Sequence, residues 1–429
     1  MTLRISYGEG YVEACKVDPS RVEWLLPKRL EAPLGVEQAY AQAMASPLGV
    51  AKLSEERFES AAVIIPDHTR PPSPFLRPLL EELSRRARDV AVFVAGGTHQ
   101  PPRCSQLRKL VSEELFEEHW FRFRHSCAKS SSFKLLGYTS RGTPVEVNRE
   151  LLNYDLVVST LCVRPHYFAG WEGGAKAILP GCSSLRSIAR NHSYAVGNPK
   201  ARELIIDGNP VREDMNEAAS IVSREVKLRA LDFVVDVEGR LGYTLYGDPL
   251  IEHREAAKLS LKLYMVESKP ADMVITVAEG GLGRNLFQSL KAYHHASNIA
   301  KRDGKTKVVL VASMEEGVGN EVFAKEYARY AGMEPDEVVK DIKERIEAGE
   351  FNEVFQKIAR MAEDSRYTKL VVVAPKAPSD LEKFLSKVDI EYAKDLDDVI
   401  GGVEGRIVVV PYGAAVVPVS STNTLSRSV

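Results

Sequence analysis

The sequence predicts an α/β protein: two α/β domains with mostly parallel sheets, and an active-site cleft between the domains. Three observations carry that expectation. Short β-rich apolar runs alternate with amphipathic helical patterns almost from end to end. The length of 429 residues suits two or three domains with sizeable cores. Polar residues capable of chemistry fall directly after predicted strands, where open α/β sheets bind their ligands.

The run AAVIIP (61–66) reads as a strand, and PFLRPLLEELSRRA (74–87) follows with Phe75, Leu76, Leu79, Leu80 and Leu83 at helical spacing. DVAVFVA (89–95) is the next strand, followed by a helical stretch near 105–118. YDLVVSTLCV (154–163) precedes a glycine-rich segment. Further on, ADMVITVA (271–278), KTKVVLVAS (305–313), KLVVVAP (369–375) and RIVVVP (406–411) read as strands separated by helical material. VESKPAD interrupts a helix near 265–271, which places a boundary there and gives domains 1–265 and 266–410. The tail, 411–429, is expected to pack back on the first domain or to fray.

Composition excludes several classes. Apolar residues at 44% and charged residues at 27% are ordinary for a soluble globular protein. A formal net charge of -2 gives no electrostatic case for nucleic acid or an anionic membrane. The five cysteines are scattered, odd in number and form no C-x-x-C, against both a disulfide framework and a zinc knuckle. The N-terminus lacks a basic segment followed by an apolar one, and no apolar run reaches the roughly 18 residues of a membrane helix. A reduced, cytoplasmic enzyme or binding protein is the expectation.

Three polar clusters follow three predicted strands: DHTRP (67–71), GGTH (96–99) and RPH (164–166). Each alone reads as a capped turn, with Asp67 or Thr69 capping, Gly96 and Gly97 bending the chain, and His99 solvated. Together they offer a His or Arg each and are expected to converge on one crevice. The longest informative stretch is RPHYFAGWEGGAKAILPGCSSLRSIARNH (164–192), which sets His166, Lys176 and His192 among small residues. The bland alternatives are histidines satisfied by backbone and a lysine snorkelling from a glycine turn. A lysine with glycines beside it also suits a covalent cofactor link, as in Schiff-base enzymes. Histidine pairs suit a late first-row metal such as nickel, copper or zinc. Spacing alone leaves these open.

This stretch closely resembles the signature of the lactate racemase family, the nickel-pincer nucleotide enzymes. The resemblance rests on His166, the turn GWEGGAKAILPG and the Asn-His pair at 191–192. It extends to DGNPVREDMNEAA (207–219), to Asp67 through Pro71, to GTH at 97–99, and to NLFQSLKA (285–292) and EEGVGN (315–320). It implies that Lys176 carries the pincer nucleotide covalently through a thioamide, and that His192 is the protein ligand to nickel. It implies that His99 and His166 are the catalytic histidines on either side of the substrate, with Asp67 and Arg70 lining the cofactor and substrate site. Gln288 and Lys291 are implied as substrate-binding residues of the second domain; read without the resemblance, they are a solvated helix face.

Two departures concern the substrate. GTH is followed by Gln100 where the family often has arginine, and the second-domain glycine pair is followed by Gly283 and Arg284. Gly283 is expected to loosen its loop and Arg284 to add a fixed cation, favouring a substrate larger than lactate, or one with a second carboxylate or several hydroxyls. The resulting expectation is a nickel-pincer nucleotide-dependent racemase or epimerase of a small 2-hydroxy acid, loaded by cofactor-biosynthesis enzymes, with no nucleic acid or membrane partner. The alternatives are a redox enzyme on a sugar acid at the same centre, a protein that stores the nucleotide, and a lysine Schiff-base enzyme.

Overall fold

The computed structural model describes residues 2–420 apart from Glu9, Lys16 and Gly402. The chain forms two compact units. The first consists of Arg29–Tyr194 and Lys200–Leu263; the second takes Tyr264 onward together with residues 1–28 and Ala195–Pro199.

The first unit is built on a six-stranded sheet in the order Leu241–Gly247, Lys227–Val235, Leu156–Ser159, Ser60–Pro66, Asp89–Gly97, Phe123–Cys127. All neighbours are parallel except the first pair, which is antiparallel. The central strand SAAVIIP is buried over six of its seven residues, as a strand covered on both faces must be. Helix Leu76–Ser84 lays Leu76, Leu79, Leu80 and Leu83 on this sheet, the i, i+3, i+4, i+7 stripe legible in its sequence. The helical stretch expected near 105–118 is two helices, Cys104–Val111 and Glu113–His119. Ser112 breaks it with φ 77 and caps the second helix through Oγ, which accepts from Leu115 N at 3.3 Å.

The second unit has a six-stranded, fully parallel sheet in the order Glu391–Ala393, Thr368–Val373, Thr306–Val311, Met273–Val277, Ile407–Val410, Val22–Trp24. Its edge strand comes from the far end of the chain, which corrects the expected domain 1–265. Val22–Trp24 pairs with Ile407–Val409, and Leu3, Ile5, Tyr7, Val12 and Ala14 of the N-terminal hairpin pack into the core of Met273, Ile275 and Val309. The physical reason is burial: this hairpin alternates apolar and polar residues, and its apolar face is covered only in that core. The tail is corrected too. Val417–Ser420 pairs in parallel with Met265–Ser268 inside the second unit, while 421–429 lie outside the described residues.

Candidate active site

Strands Ser60–Pro66 and Asp89–Gly97 are adjacent and parallel, so the residues after them emerge side by side at the carboxyl edge of the first sheet. Asp67 and His99 meet there: Asp67 Oδ2 contacts His99 Nδ1. Asp67 Oδ1 accepts from Thr69 N at 2.8 Å and Thr69 Oγ1 at 2.6 Å, so the turn-capping role and the histidine contact coexist on one carboxylate. Burial works to raise the Asp67 pKa, but His99, Arg70 and Thr69 together outweigh it and hold the carboxyl well below its usual range. His99 is part-exposed rather than solvated, and Gly97 beside it takes φ 53 while its N–H donates to Gly181 O at 3.1 Å. That bond ties the histidine's strand end to the far side of the lysine turn.

His166 lies in a two-residue strand, Pro165–His166, paired with Gly170–Trp171. Its Nδ1 accepts from Ala169 N at 3.3 Å, which leaves the proton of the neutral ring on Nε2. Phe168 packs edge-to-face with two imidazoles, its ring centroid 4.6 Å from that of His166 and 4.9 Å from that of His192. His192 belongs to helix Leu185–Ser193, whose cap, Ser184 Oγ, accepts from Ser187 N. Asn191 and Ser193 on either side are buried, and His192 is only part-buried.

The lysine turn is held by buried side chains from several elements. From Pro165 to Leu179 every residue is buried except Lys176, which sits on the 3-10 turn Gly174–Ala177. Arg212, fully buried, donates to the carbonyls of Ala169 (3.1 Å), Gly173 (3.3 Å) and Trp171. Asp232 accepts from Gly174 N at 2.6 Å and Leu161 N at 2.9 Å, and His253 Nε2 donates to Glu172 O at 3.0 Å. Burial pushes Asp232 up to about 7 and Arg212 down to about 9. Burial also lowers His253, helped by Arg212 and by Lys176. The glycines answer to this packing. A Cβ on Gly173 would lie 2.7 Å from Asp232 Oδ2, and one on Gly174 would lie 2.7 Å from the His253 ring.

Arg70 points into the same cluster. Its Nε lies 2.9 Å from Glu172 Oε1, and Arg164 Nε donates to Glu172 Oε2 at 2.7 Å. The strand-end clusters at 67–71, 96–99 and 164–166 thus converge, through a carboxylate that sequence reading passed over. Asp232 and His253 carried no sequence signal beyond being charged or polar, and Glu172 and Arg212 none beyond lying within family motifs. Only their burial identifies them.

In the second unit, Gln288 and Lys291 lie on helix Leu286–Ala296, capped by Asn285 Oδ1 accepting from Gln288 N at 3.0 Å. Gln288 is part-buried and Lys291 is buried, which removes the solvated-face alternative for Lys291. A second buried lysine, Lys357, donates to Phe287 O at 2.6 Å. Buried Asp364 takes His294 Nδ1 at 2.8 Å and Arg360 at 3.0 Å. The expectations for Gly283 and Arg284 are corrected. Gly283 sits in a 3-10 turn, its carbonyl accepts from Met314 N, and a Cβ would lie 2.2 Å from Ala278 O, so this glycine serves close packing. Arg284 is half exposed and paired with Glu316 at 2.8 Å and Glu315 at 3.1 Å, so its charge is already met.

Fold and site together define a two-unit α/β enzyme that sets imidazoles and one presented lysine at the carboxyl edge of a parallel sheet. Residues 7–203 match the lactate racemase N-terminal domain and residues 266–418 the lactate racemase C-terminal domain. The chain belongs to the lactate racemase family and is a racemase, hence an isomerase. It is 29% identical over 355 residues to the lactate racemase of Thermoanaerobacterium thermosaccharolyticum, covering 80% of this chain and 81% of that one. It is 29% identical over 302 residues to that of Lactiplantibacillus plantarum, covering 68% and 69%. The solved lactate racemase apoprotein from T. thermosaccharolyticum superposes with a TM-score of 0.84 at 25% identity, covering 97% of this chain and all of that one. A protein from Thermotoga maritima, 17% identical with a TM-score of 0.70, covers 92% of this chain and all of its own, and shares the fold.

Proposed function

We propose that this chain racemises lactate, or a 2-hydroxy acid of similar size, with a nickel-pincer nucleotide attached to Lys176. One observation carries the proposal. Lys176 is the only residue between Pro165 and Leu179 that is not buried, and it stands on a turn gripped by Arg212 and Asp232. The residues present fit such a group. Lys176 offers an amine on a rigid base, and His192 offers an imidazole whose orientation is fixed by Phe168. Among the described residues no group of three or more His, Cys, Asp or Glu side chains can hold a metal ion, so a metal at His192 needs donors from the cofactor.

When bound, the cofactor would supply the acceptor for the hydride that leaves C2 of the substrate. The chain's own residues handle the proton. His99, oriented through Nδ1 by an ionised Asp67, takes the hydroxyl proton through Nε2, and Asp67 stabilises the imidazolium that results. His166 serves as the base for the opposite enantiomer; to take a proton at Nε2 its ring must carry its own proton on Nδ1, which gives up the 3.3 Å contact from Ala169 N–H. Two bases are needed because inversion requires proton chemistry on both faces of a planar keto acid. Among the described residues no helix is long and apolar enough to cross a membrane.

The test is co-expression with enzymes that make the cofactor, then intact mass, nickel content and a chiral lactate assay. The expected result is one adduct on the peptide containing Lys176, about one nickel per adduct, and its loss in Lys176→Ala. An adduct that survives this substitution overturns the assignment. An adduct without nickel points to a Schiff-base enzyme, and a loaded protein without turnover points to storage.

A further inference from the structure

Arg70 is an obvious candidate to receive the carboxylate of a hydroxy acid, since an arginine fork matches a carboxylate. The geometry points to a different role. We infer that Glu172 and Arg70 are positioning residues for the Asp67–His99 pair, and that Arg70 does not receive the substrate's carboxylate. This rests on the racemase reading above.

The contacts form one continuous line. Arg164 Nε donates to Glu172 Oε2 at 2.7 Å, and Glu172 Oε1 lies 2.9 Å from Arg70 Nε. Arg70 Nη1 donates to Thr69 Oγ1 at 2.9 Å, that hydroxyl donates to Asp67 Oδ1 at 2.6 Å, and Asp67 Oδ2 meets His99 Nδ1. Glu172 is fixed along its backbone as well: its N–H donates to Arg164 O at 2.7 Å, and its carbonyl accepts from His253 at 3.0 Å. The histidine and Arg70 are the more exposed members, and the two carboxylates the least exposed. The His99 side chain is 27% exposed and Arg70 21%, against 12% for Arg164, 7% for Glu172 and 4% for Asp67.

Arg70 and Arg164 therefore both meet Glu172, and Arg70 also acts on Asp67, before any substrate arrives. A substrate carboxylate on Arg70 would find only Nη2 open, since Nε meets Glu172 and Nη1 meets Thr69, so neither edge of the fork could grip it. It would also place a third negative charge beside Glu172 and Asp67. Holding Arg70 in place costs nothing further and fixes Thr69, and through it the carboxylate that orients His99.

The two roles predict opposite results for Glu172→Gln in the loaded enzyme. If Arg70 positions, kcat falls about tenfold or more while KM stays within about twofold, the signature of an interaction that matters in the transition state. If Arg70 receives the substrate, the substitution frees it, KM falls with kcat preserved, and the inference is overturned. Arg70→Lys keeps the charge but loses the fork, and should reproduce the kcat loss; it serves if Glu172→Gln does not fold. An independent readout uses the apoprotein labelled with 15N-arginine. The Arg70 Nε–H signal, identified by its loss in Arg70→Lys, should exchange slowly, lose that protection in Glu172→Gln, and stay unmoved on titration with lactate. A lactate-dependent shift, or protection unchanged in Glu172→Gln, overturns the inference. Should loaded wild-type protein racemise no 2-hydroxy acid, the functional reading fails, and the Arg70 Nε–H protection in Glu172→Gln still decides the positioning role.

Discussion

Replacing Arg212 by methionine keeps most of the buried volume and removes the donor that grips the lysine turn. Three carbonyls lose a charged donor, those of Ala169, Trp171 and Gly173. Two retain another: Trp171 N donates to Ala169 O at 2.9 Å, and Lys176 N to Gly173 O at 3.3 Å. Breaking a buried charged contact from one side costs about 3–5 kcal/mol. The lower end applies here, because burial already pushes Asp232 toward its neutral form and it can take up a proton when the cation is gone. A loss of about 3 kcal/mol corresponds to roughly a hundredfold rise in the opening constant, at about 1.4 kcal/mol per factor of ten. Hydrogen exchange at the amides of Gly174 and Lys176 reads this locally, without requiring the whole two-unit chain to unfold in one step. Arg212→Lys should fall between, since an ammonium lacks the planar fork that spans several carbonyls. Protection in Arg212→Met within threefold of wild type would refute the reasoning, for the turn would then owe its shape to the backbone alone.

Three further outcomes are expected. His192→Ala should lose nickel while keeping the Lys176 adduct, whereas His99→Ala and His166→Ala should keep nickel and lose roughly 10²–10⁴-fold in turnover; equal nickel loss in all three would show that ligand and bases were confused. Asp67 titrates lower in the folded chain than its unfolded value of about 3.9, so its stabilisation is present above that pH and lost as acid carries the protein down through the folded value. The destabilisation by Asp67→Asn, measured by urea denaturation, should therefore be largest at neutral pH and shrink below about pH 4; a penalty independent of pH would contradict it. Gly174→Ala must adopt φ +57 with its Cβ 2.7 Å from the His253 ring and should cost about 2–4 kcal/mol, whereas Gly280→Ala shares φ +57 with nothing within 4 Å and should cost only about 1. Equal melting shifts for the two would show that backbone strain, not the His253 contact, sets the cost.

The central strands and the leucine-faced helix Leu76–Ser84 were legible because burial on both faces, or on one stripe, writes a period into the sequence. Val22–Trp24 was not, because a three-residue edge strand is too short to carry one. The histidines and Lys176 stood out by family pattern and by their small neighbours. Arg70 was legible as a residue of the site, but its partner was not. Glu172 reads in sequence as one acidic residue in a glycine turn, and only three-dimensional packing brings Arg70 and Arg164 to its two oxygens. Arg284 erred the other way, since a cation in sequence looks available until Glu315 and Glu316 are seen beside it.

The first 28 residues complete a sheet whose other strands begin at Met273. During synthesis Val22–Trp24 emerges well before its parallel partner Ile407–Val410, which follows nearly four hundred residues later. In the interval Leu3, Ile5, Tyr7 and Val12 have no core to enter. The first unit can fold while the chain is still growing, but the second must wait for both ends. A fragment beginning at residue 264 would lack its edge strand and expose the apolar surface the hairpin covers, so the carboxyl half of this protein is a poor candidate for expression alone. A permuted chain that carries residues 1–28 after the C-terminus would deliver edge strand and core partner together.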